Sequence, residues 1–88
     1  ENNVFTFEFK EKAAREIDKL PTEDRVRILR KLKFYAQQEN PLRFAEKLTD
    51  FRFGELRFRI GDYRIICDIS GSKIIILKVG HRKDIYQS

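Results

Sequence analysis

Glu55-Leu56-Arg57-Phe58-Arg59-Ile60-Gly61-Asp62-Tyr63-Arg64-Ile65-Ile66 is the stretch that decides the fold. Residues 55–60 alternate strictly between charged and apolar side chains, the period of a strand with one buried face. Gly61-Asp62 is a two-residue hairpin turn of the glycine-first kind, and Tyr63 to Ile69 is the return strand. With that loop the register follows: Ile60 opposes Tyr63, Arg59 opposes Arg64, Phe58 opposes Ile65, Arg57 opposes Ile66 and Leu56 opposes Cys67. One face is then Leu56, Phe58, Ile60, Tyr63, Ile65 and Cys67, a core face. The other gathers Arg57, Arg59 and Arg64. Two arginines directly opposite each other cost a few tenths to ~1 kcal/mol unless an anion compensates. The carboxylates near in sequence are Glu55, Asp68 and Asp62.

Outward from the hairpin, Ser70-Gly71-Ser72 turns again and Lys73 to Val79 forms a third strand. Ile74 to Leu77 are apolar on both faces, which places this strand centrally. A Gly71-Ser72 loop sets Val79 beside Arg64. Gly80 ends the strand, and the tail His81-Arg82-Lys83-Asp84-Ile85-Tyr86 emerges next to the cationic face. Upstream, residues 4–9 read as a strand rich in aromatic residues. Phe9, Ala13, Ile17 and Leu20 then fall at helical spacing. Leu20-Pro21-Thr22 breaks that helix, with Thr22 as N-cap of the next and Glu23 and Asp24 at its positive end. Val26, Leu29, Leu32 or Lys33, and Ala36 form one stripe of the second helix, widened by Ile28 and Tyr35. Arg27, Arg30, Lys31 and Gln38 lie opposite. The helix stops before Asn40-Pro41. In residues 42–54, Phe44 and Leu48 anchor a short turn. The order is β-α-α-β-β-β. The expected fold is one α+β domain over residues 1–88: an N-terminal strand, a helical hairpin, then an antiparallel three-strand meander, with the helices on one face of a small sheet.

Composition agrees. The chain has 88 residues, 41% apolar, with 19 Lys+Arg against 14 Asp+Glu for a net charge of +5. It can bury roughly 60–70% of its unfolded surface, enough for one modest core. The apolar runs exclude disorder, and none approaches the ~18–20 residues of a membrane span. No signal-peptide core is visible, and a chain opening on Glu1 implies a start upstream or trimmed. A single cysteine, Cys67, allows no internal disulfide and fits a reducing cytosol. It falls on the core face, as packing. One His and one Cys make no zinc site unaided, so no metal is expected. Phe5, Phe7, Phe9, Phe34, Phe44 and Phe58 are read as core. The basic balance admits nucleic acid or an acidic protein as partner.

The outer-face arginines have two readings. They are solvated charges, as on most antiparallel sheets, or they converge with His81, Arg82 and Tyr86 to meet a polyanion, cations for phosphate and a ring for stacking. The stripe Arg27, Arg30 and Lys31 on the second helix is similarly a solvated helix face or a ribosomal RNA contact.

Residues 56–66, together with Val79-Gly80-His81-Arg82-Lys83-Asp84-Ile85-Tyr86, resemble the RelE/ParE toxin superfamily, and the ending resembles its RelE branch. The first half fits too, so the resemblance spans nearly the whole chain. It implies the toxin of a type II toxin–antitoxin system: a cytoplasmic, metal-independent endoribonuclease without cofactor that enters the ribosomal A site and cuts mRNA by 2′-hydroxyl attack on the adjacent phosphate. Its implied partners are a RelB-like antitoxin, mRNA, and the ribosome with its RNA, and no membrane. An apolar rim on a small core would take the antitoxin helix. Carried over by motif, Arg64 contacts the reacting phosphate, Arg82 serves phosphate or leaving group, and Tyr86 stacks on the cleaved nucleotide. Arg57 stands where some members have a catalytic lysine. Arg59, Arg52 and Lys83 complete the expected RNA contacts. Glu55 stands where those members carry a second lysine, so a lysine base is missing, and arginine is a poor substitute because it stays charged. Glu55 as base, or as ion-pair partner of Arg57 or Arg64, are both open. His81 as acid or base, since a histidine pKa of ~6.5 lies near working pH, or as a residue that orients the tail backbone, are also both open. The competing functions are a ParE-like inhibitor of DNA gyrase on the same fold, and a degenerate toxin.

Overall fold

The alternation of residues 55–60 becomes the middle of a sheet. The computed structural model describes residues 5–87. Its elements are β1 (Thr6–Phe9), α1 (Glu11–Asp18), α2 (Thr22–Ala36), a 3₁₀ turn (Pro41–Phe44), β2 (Ala45–Lys47), β3 (Leu56–Ile60), β4 (Tyr63–Ser70) and β5 (Lys73–His81). Among the described residues the sheet has five strands in the order β1-β5-β4-β3-β2. All neighbours are antiparallel except β1 and β5, which run parallel. The α+β class holds, on a larger sheet than a meander. The apolar run Ile74 to Leu77 does lie centrally, between β1 and β4.

The β3–β4 register is the predicted one, from Leu56↔Cys67 to Ile60↔Tyr63. Gly61 makes it possible: its φ of +59° is the first position of a glycine-first turn, and no non-glycine described residue has positive φ. Phe58, Ile65, Cys67, Ile74 and Ile76 are fully enclosed against Ala13 and Ile17 of α1 and Ile28, Leu32 and Tyr35 of α2. Both helices therefore cover one face, as expected.

Several sequence expectations are corrected. Arg64 pairs with Gly80, not Val79, because a bulge between Ile66 and Cys67 leaves Leu77 as an extra residue on β5. β5 consequently continues through Gly80 to His81. The α2 stripe that is buried is Ile28, Leu32 and Tyr35, while Val26 and Leu29 face solvent. The segment after Pro41 forms the 3₁₀ turn and β2, anchored by buried Pro41; Phe44 and Phe34 are half-exposed rather than core. Phe5, Phe7 and Phe9 pack against the core only in part. Thr22 is the first helical residue rather than the cap; Pro21 stands at the cap and no side chain caps the helix. Helix α1 is also shorter than its stripe, since Phe9 belongs to β1 and Leu20 to the turn. Val4, placed in the first strand by sequence, and Glu1 lie outside the described residues.

Beyond Phe9, β1 no longer covers the edge of β5. There Glu16 of α1 takes over: its Oε1 accepts the Val79 N–H at 2.8 Å, satisfying a buried donor that has no strand partner.

Candidate functional site

On the face away from the helices, Arg57 and Arg59 of β3 stand beside Arg64 of β4, with Arg59 directly across from Arg64. The compensating anion is neither Glu55 nor Asp68. It is Glu46, on the short strand β2, directly opposite Arg57. Glu46 Oε1 accepts from Arg57 Nε at 3.0 Å and lies 2.8 Å from Nη2, while Oε2 accepts from Arg59 Nη1 at 3.4 Å. The hydrogen bond from Arg57 chiefly holds the Glu46 carboxyl below its usual range. Burial pulls Arg57 down, but its bonds to Glu46 and Tyr86 outweigh it and leave the guanidinium more firmly charged.

Arg64 does not sit on an exposed face, as the sequence suggested. It is 8% exposed, and Nη1 donates to the Gly61 and Tyr63 carbonyls at 3.1 and 2.9 Å. Burial lowers its pKa, and the like charges of Arg59, Arg57 and Arg82 lower it further. Arg59 is its direct cross-strand neighbour. Among the described residues no side-chain nitrogen or oxygen is both buried and unpartnered, so the remaining Arg64 donors reach the surface. An arginine held by one nitrogen, with its other donors free, has the geometry to receive an anion.

The tail completes the cluster by folding back. Asp84 and Ile85 donate their N–H groups to the His81 carbonyl at 2.8 and 3.0 Å, closing a turn. Arg82 N–H donates to the Asp62 carbonyl at 2.7 Å, and its Nε lies 3.4 Å from Asp62 Oδ1. The tail is therefore tied to the β3–β4 loop. Tyr86 Oη accepts from Arg57 Nη1 at 2.7 Å and keeps its own proton to donate. Its ring meets Phe53 edge-on at 4.8 Å. Arg57, Tyr86, Phe53, Lys47 and Leu48 border a groove of about 390 Å³.

The other candidates fall as follows. His81 Nδ1 accepts the Lys83 N–H at 3.1 Å, and its ring packs edge-on against Tyr63. This leaves Nε2 open. Glu55 is aimed away: Oε1 accepts the Ile69 N–H at 2.8 Å, and it pairs with neither Arg57 nor Arg64. Arg52 is committed to Asp50, with contacts down to 2.7 Å, although its guanidinium also lies 5.9 Å from the Phe53 ring. Lys83 is exposed. Cys67 is enclosed on the core face, where burial pushes its thiol up, so it packs as expected. Sequence reasoning missed Glu46 and Phe53. Ala45-Glu46-Lys47 is too short to show a period, and Phe53 carries no local signal. A larger depression, about 670 Å³, lies on α2, lined by Thr22, Glu23, Val26 and the cations Arg27, Arg30 and Lys31.

A family model described as ParE toxin of type II toxin–antitoxin system, parDE, matches residues 7–86, both the scaffold and every arginine of the cluster. The chain belongs to this toxin family. Within the wider RelE/ParE superfamily, the toxin is similar to a chain in the crystal structure of the toxin–antitoxin complex RelBE2 from Mycobacterium tuberculosis. That match has 27% identity and a TM-score of 0.77, covering 90% of the toxin and 99% of that chain. It also shares its fold with a chain of the RelB–RelE antitoxin–toxin complex from Methanococcus jannaschii, at 24% identity and a TM-score of 0.63 over 91% of the toxin and 95% of that chain. No curated protein sequence matches significantly. Among the described residues of the toxin, no helix is long and apolar enough to cross a membrane.

Proposed function

We propose that this toxin is an endoribonuclease that cuts mRNA in the ribosomal A site. The observation that carries the reading is the meeting of Arg57, Arg64, Arg82 and Tyr86, from three separate segments, on one face. In the proposed reaction the 2′-hydroxyl attacks the adjacent phosphate. Arg64 and Arg82 stabilise the charge that builds on the phosphorane, and Tyr86 supports the nucleotide with Arg57 at its hydroxyl. Glu46, held ionised by Arg57, is a weak base, and His81 offers only Nε2. With no strong base–acid pair in place, the ribosome is assigned the task of orienting the nucleophile. A RelB-like antitoxin is the protein partner in this reading. Exposed Val26 and Leu29, flanked by Arg27, Arg30 and Lys31, suit an acidic amphipathic antitoxin helix.

A second reading, inhibition of DNA gyrase without RNA cleavage, is favoured by the ParE description of the matching family. Primer extension on mRNA from a reconstituted translation reaction separates the two. The nuclease gives cuts inside A-site codons, absent on naked RNA. Removing one donor to the phosphorane, as in Arg82→Ala, slows them by about 10²–10³-fold. Intact mRNA with loss of gyrase supercoiling supports the second reading instead, and intact mRNA with neither effect identifies a degenerate toxin.

A further inference from the structure

In the tail, residues 82–87, every side chain is exposed except one. Ile85 is 1% exposed, yet it stands outside the main core. Its seat is Gly80. A Cβ at position 80 would come within 3.0 Å of Ile85 Cδ1, 3.7 Å of its Cα and 3.9 Å of its Cβ. Gly80 is not a backbone necessity, since positive φ among the described residues occurs only at Gly54, Gly61 and Gly71. What the position requires is the missing side chain. Gly80 is also the residue paired with Arg64, so Ile85 sits on the arginine face, over the strand next to Arg64.

The other ties of the tail are weaker holds. The bond from Gln87 to Asp84 lies within the tail and travels with it, and the bonds of Asp84 and Ile85 to the His81 carbonyl hold only the turn that leaves β5. Arg82–Asp62, Arg57–Tyr86 and Lys78–Gln87 are polar contacts at the surface that water can replace, and the Tyr86 ring meets only the edge of Phe53. Ile85 is the one tail side chain that is buried, and that burial is a contribution water cannot supply.

We propose that Ile85, seated on Gly80, is a latch that docks residues 82–87 on the sheet and so holds Tyr86 against Arg57 and Arg82 against Asp62. Tyr86 follows Ile85 directly and Arg82 precedes it by one turn, so a single anchor sets both. In the nuclease reading, on which this catalytic meaning rests, Ile85 and Gly80 are positioning residues that act through Tyr86 and Arg82.

Limited trypsin digestion of the full chain, read by mass spectrometry, tests the latch independently of any activity. Arg82 and Lys83 are the cleavage points in the tail; Arg25, Arg27 and Arg30 in α2 report the rest of the fold. Ile85→Ala should speed the tail cuts by about tenfold or more while the α2 cuts stay at the wild-type rate. Gly80→Ala should also speed them. Adding Ile85→Val, which removes the colliding Cδ1, should return the Gly80→Ala chain toward the wild-type rate. Unchanged tail cutting in Ile85→Ala, or a double variant cut faster than Gly80→Ala alone, overturns the latch. Single-turnover A-site cleavage then tests positioning: Ile85→Ala should lose at least about tenfold in rate with ribosome binding intact, and Ile85→Val should retain most of it. Wild-type cleavage by a variant whose tail has opened refutes the positioning role and leaves the nuclease standing. A wild type that cuts no mRNA refutes the nuclease, and the digestion pattern still decides the latch.

Discussion

Glu46→Gln asks whether the arginine cluster exists to meet a polyanion. The Glu46 carboxylate lies 2.8 Å from Arg57 and 3.4 Å from Arg59, where an RNA phosphate would compete for the same two guanidinium groups. Because its carboxyl is held below the usual range, it is ionised throughout the neutral pH range, and its hold on Arg57 is lost only as pH falls through that lowered value. Each phosphate neutralised on a single strand contributes about 0.7 to the salt slope of binding. If Arg57, Arg59, Arg64 and Arg82 each meet one, the slope of log K against log salt is about −2.8, and binding weakens about 50-fold between 50 and 200 mM salt. Replacing the carboxylate by an amide frees one unit of charge on the arginines at the same shape. Affinity at low salt should rise by roughly two- to tenfold, since the groups are partly exposed and screened. Arg59→Ala should flatten the slope by about 0.7. Fluorescence anisotropy with a 2′-O-methyl oligoribonucleotide, which lacks the nucleophile, measures both. Weaker binding by Glu46→Gln, or a wild-type slope shallower than about −1, would refute the reasoning.

Two further predictions concern stability. Glu16→Ala leaves the buried Val79 N–H unpaired and should destabilise by about 1–3 kcal/mol, lowering Tm by roughly 4–8 °C per kcal/mol; Glu16→Gln, which keeps an acceptor, should lose less, and thermal unfolding followed by circular dichroism checks both. Arg64→Ala removes the donor to the Gly61 and Tyr63 carbonyls, worth ~1.5–3 kcal/mol for a charged donor, but also relieves repulsion from three arginines. A net loss of about 1–2 kcal/mol is expected in urea unfolding, alongside any loss of activity.

The hairpin was legible because two independent signals agreed. Leu56, Phe58 and Ile60 set the period, and Gly61 set the turn, so the register of β3 and β4 followed residue by residue. The bulge was not legible. Ile74 to Leu77 form an unbroken apolar run, and an extra residue in such a run leaves no break in alternation. That one residue moved Gly80 opposite Arg64 and turned an apparent strand terminator into the seat of Ile85. β2 escaped for a different reason: three residues carry no measurable period, and only pairing with β3 makes Ala45–Lys47 a strand. With it went Glu46, and with Glu46 the compensation of the arginines. The tail looked polar because Ile85 is its one aliphatic residue among charged neighbours. Nothing local says that such a residue will be buried across a sheet from the helices. The arginines and Tyr86 were brought together as the motif suggested, whereas His81 turns its ring to Tyr63, and Glu55, Arg52 and Lys83 were not brought into contact with the cluster.

The state of Arg64 bears on what the face is for. A solvated outer-face arginine would extend into water, keep its ordinary pKa and stand apart from like charges. Arg64 does the reverse. It is buried, its charged form is disfavoured first by that burial and then by Arg59, Arg57 and Arg82, and its two carbonyl contacts could be made by a neutral donor. Folding does not require a full charge to make those two bonds, and local rules are most often broken where a site must be kept ready for its ligand. Glu46 and Asp62 restrain the neighbouring arginines without touching Arg64. In the nuclease reading, the anion that satisfies Arg64 is a phosphate of the RNA, met on the face that the tail borders.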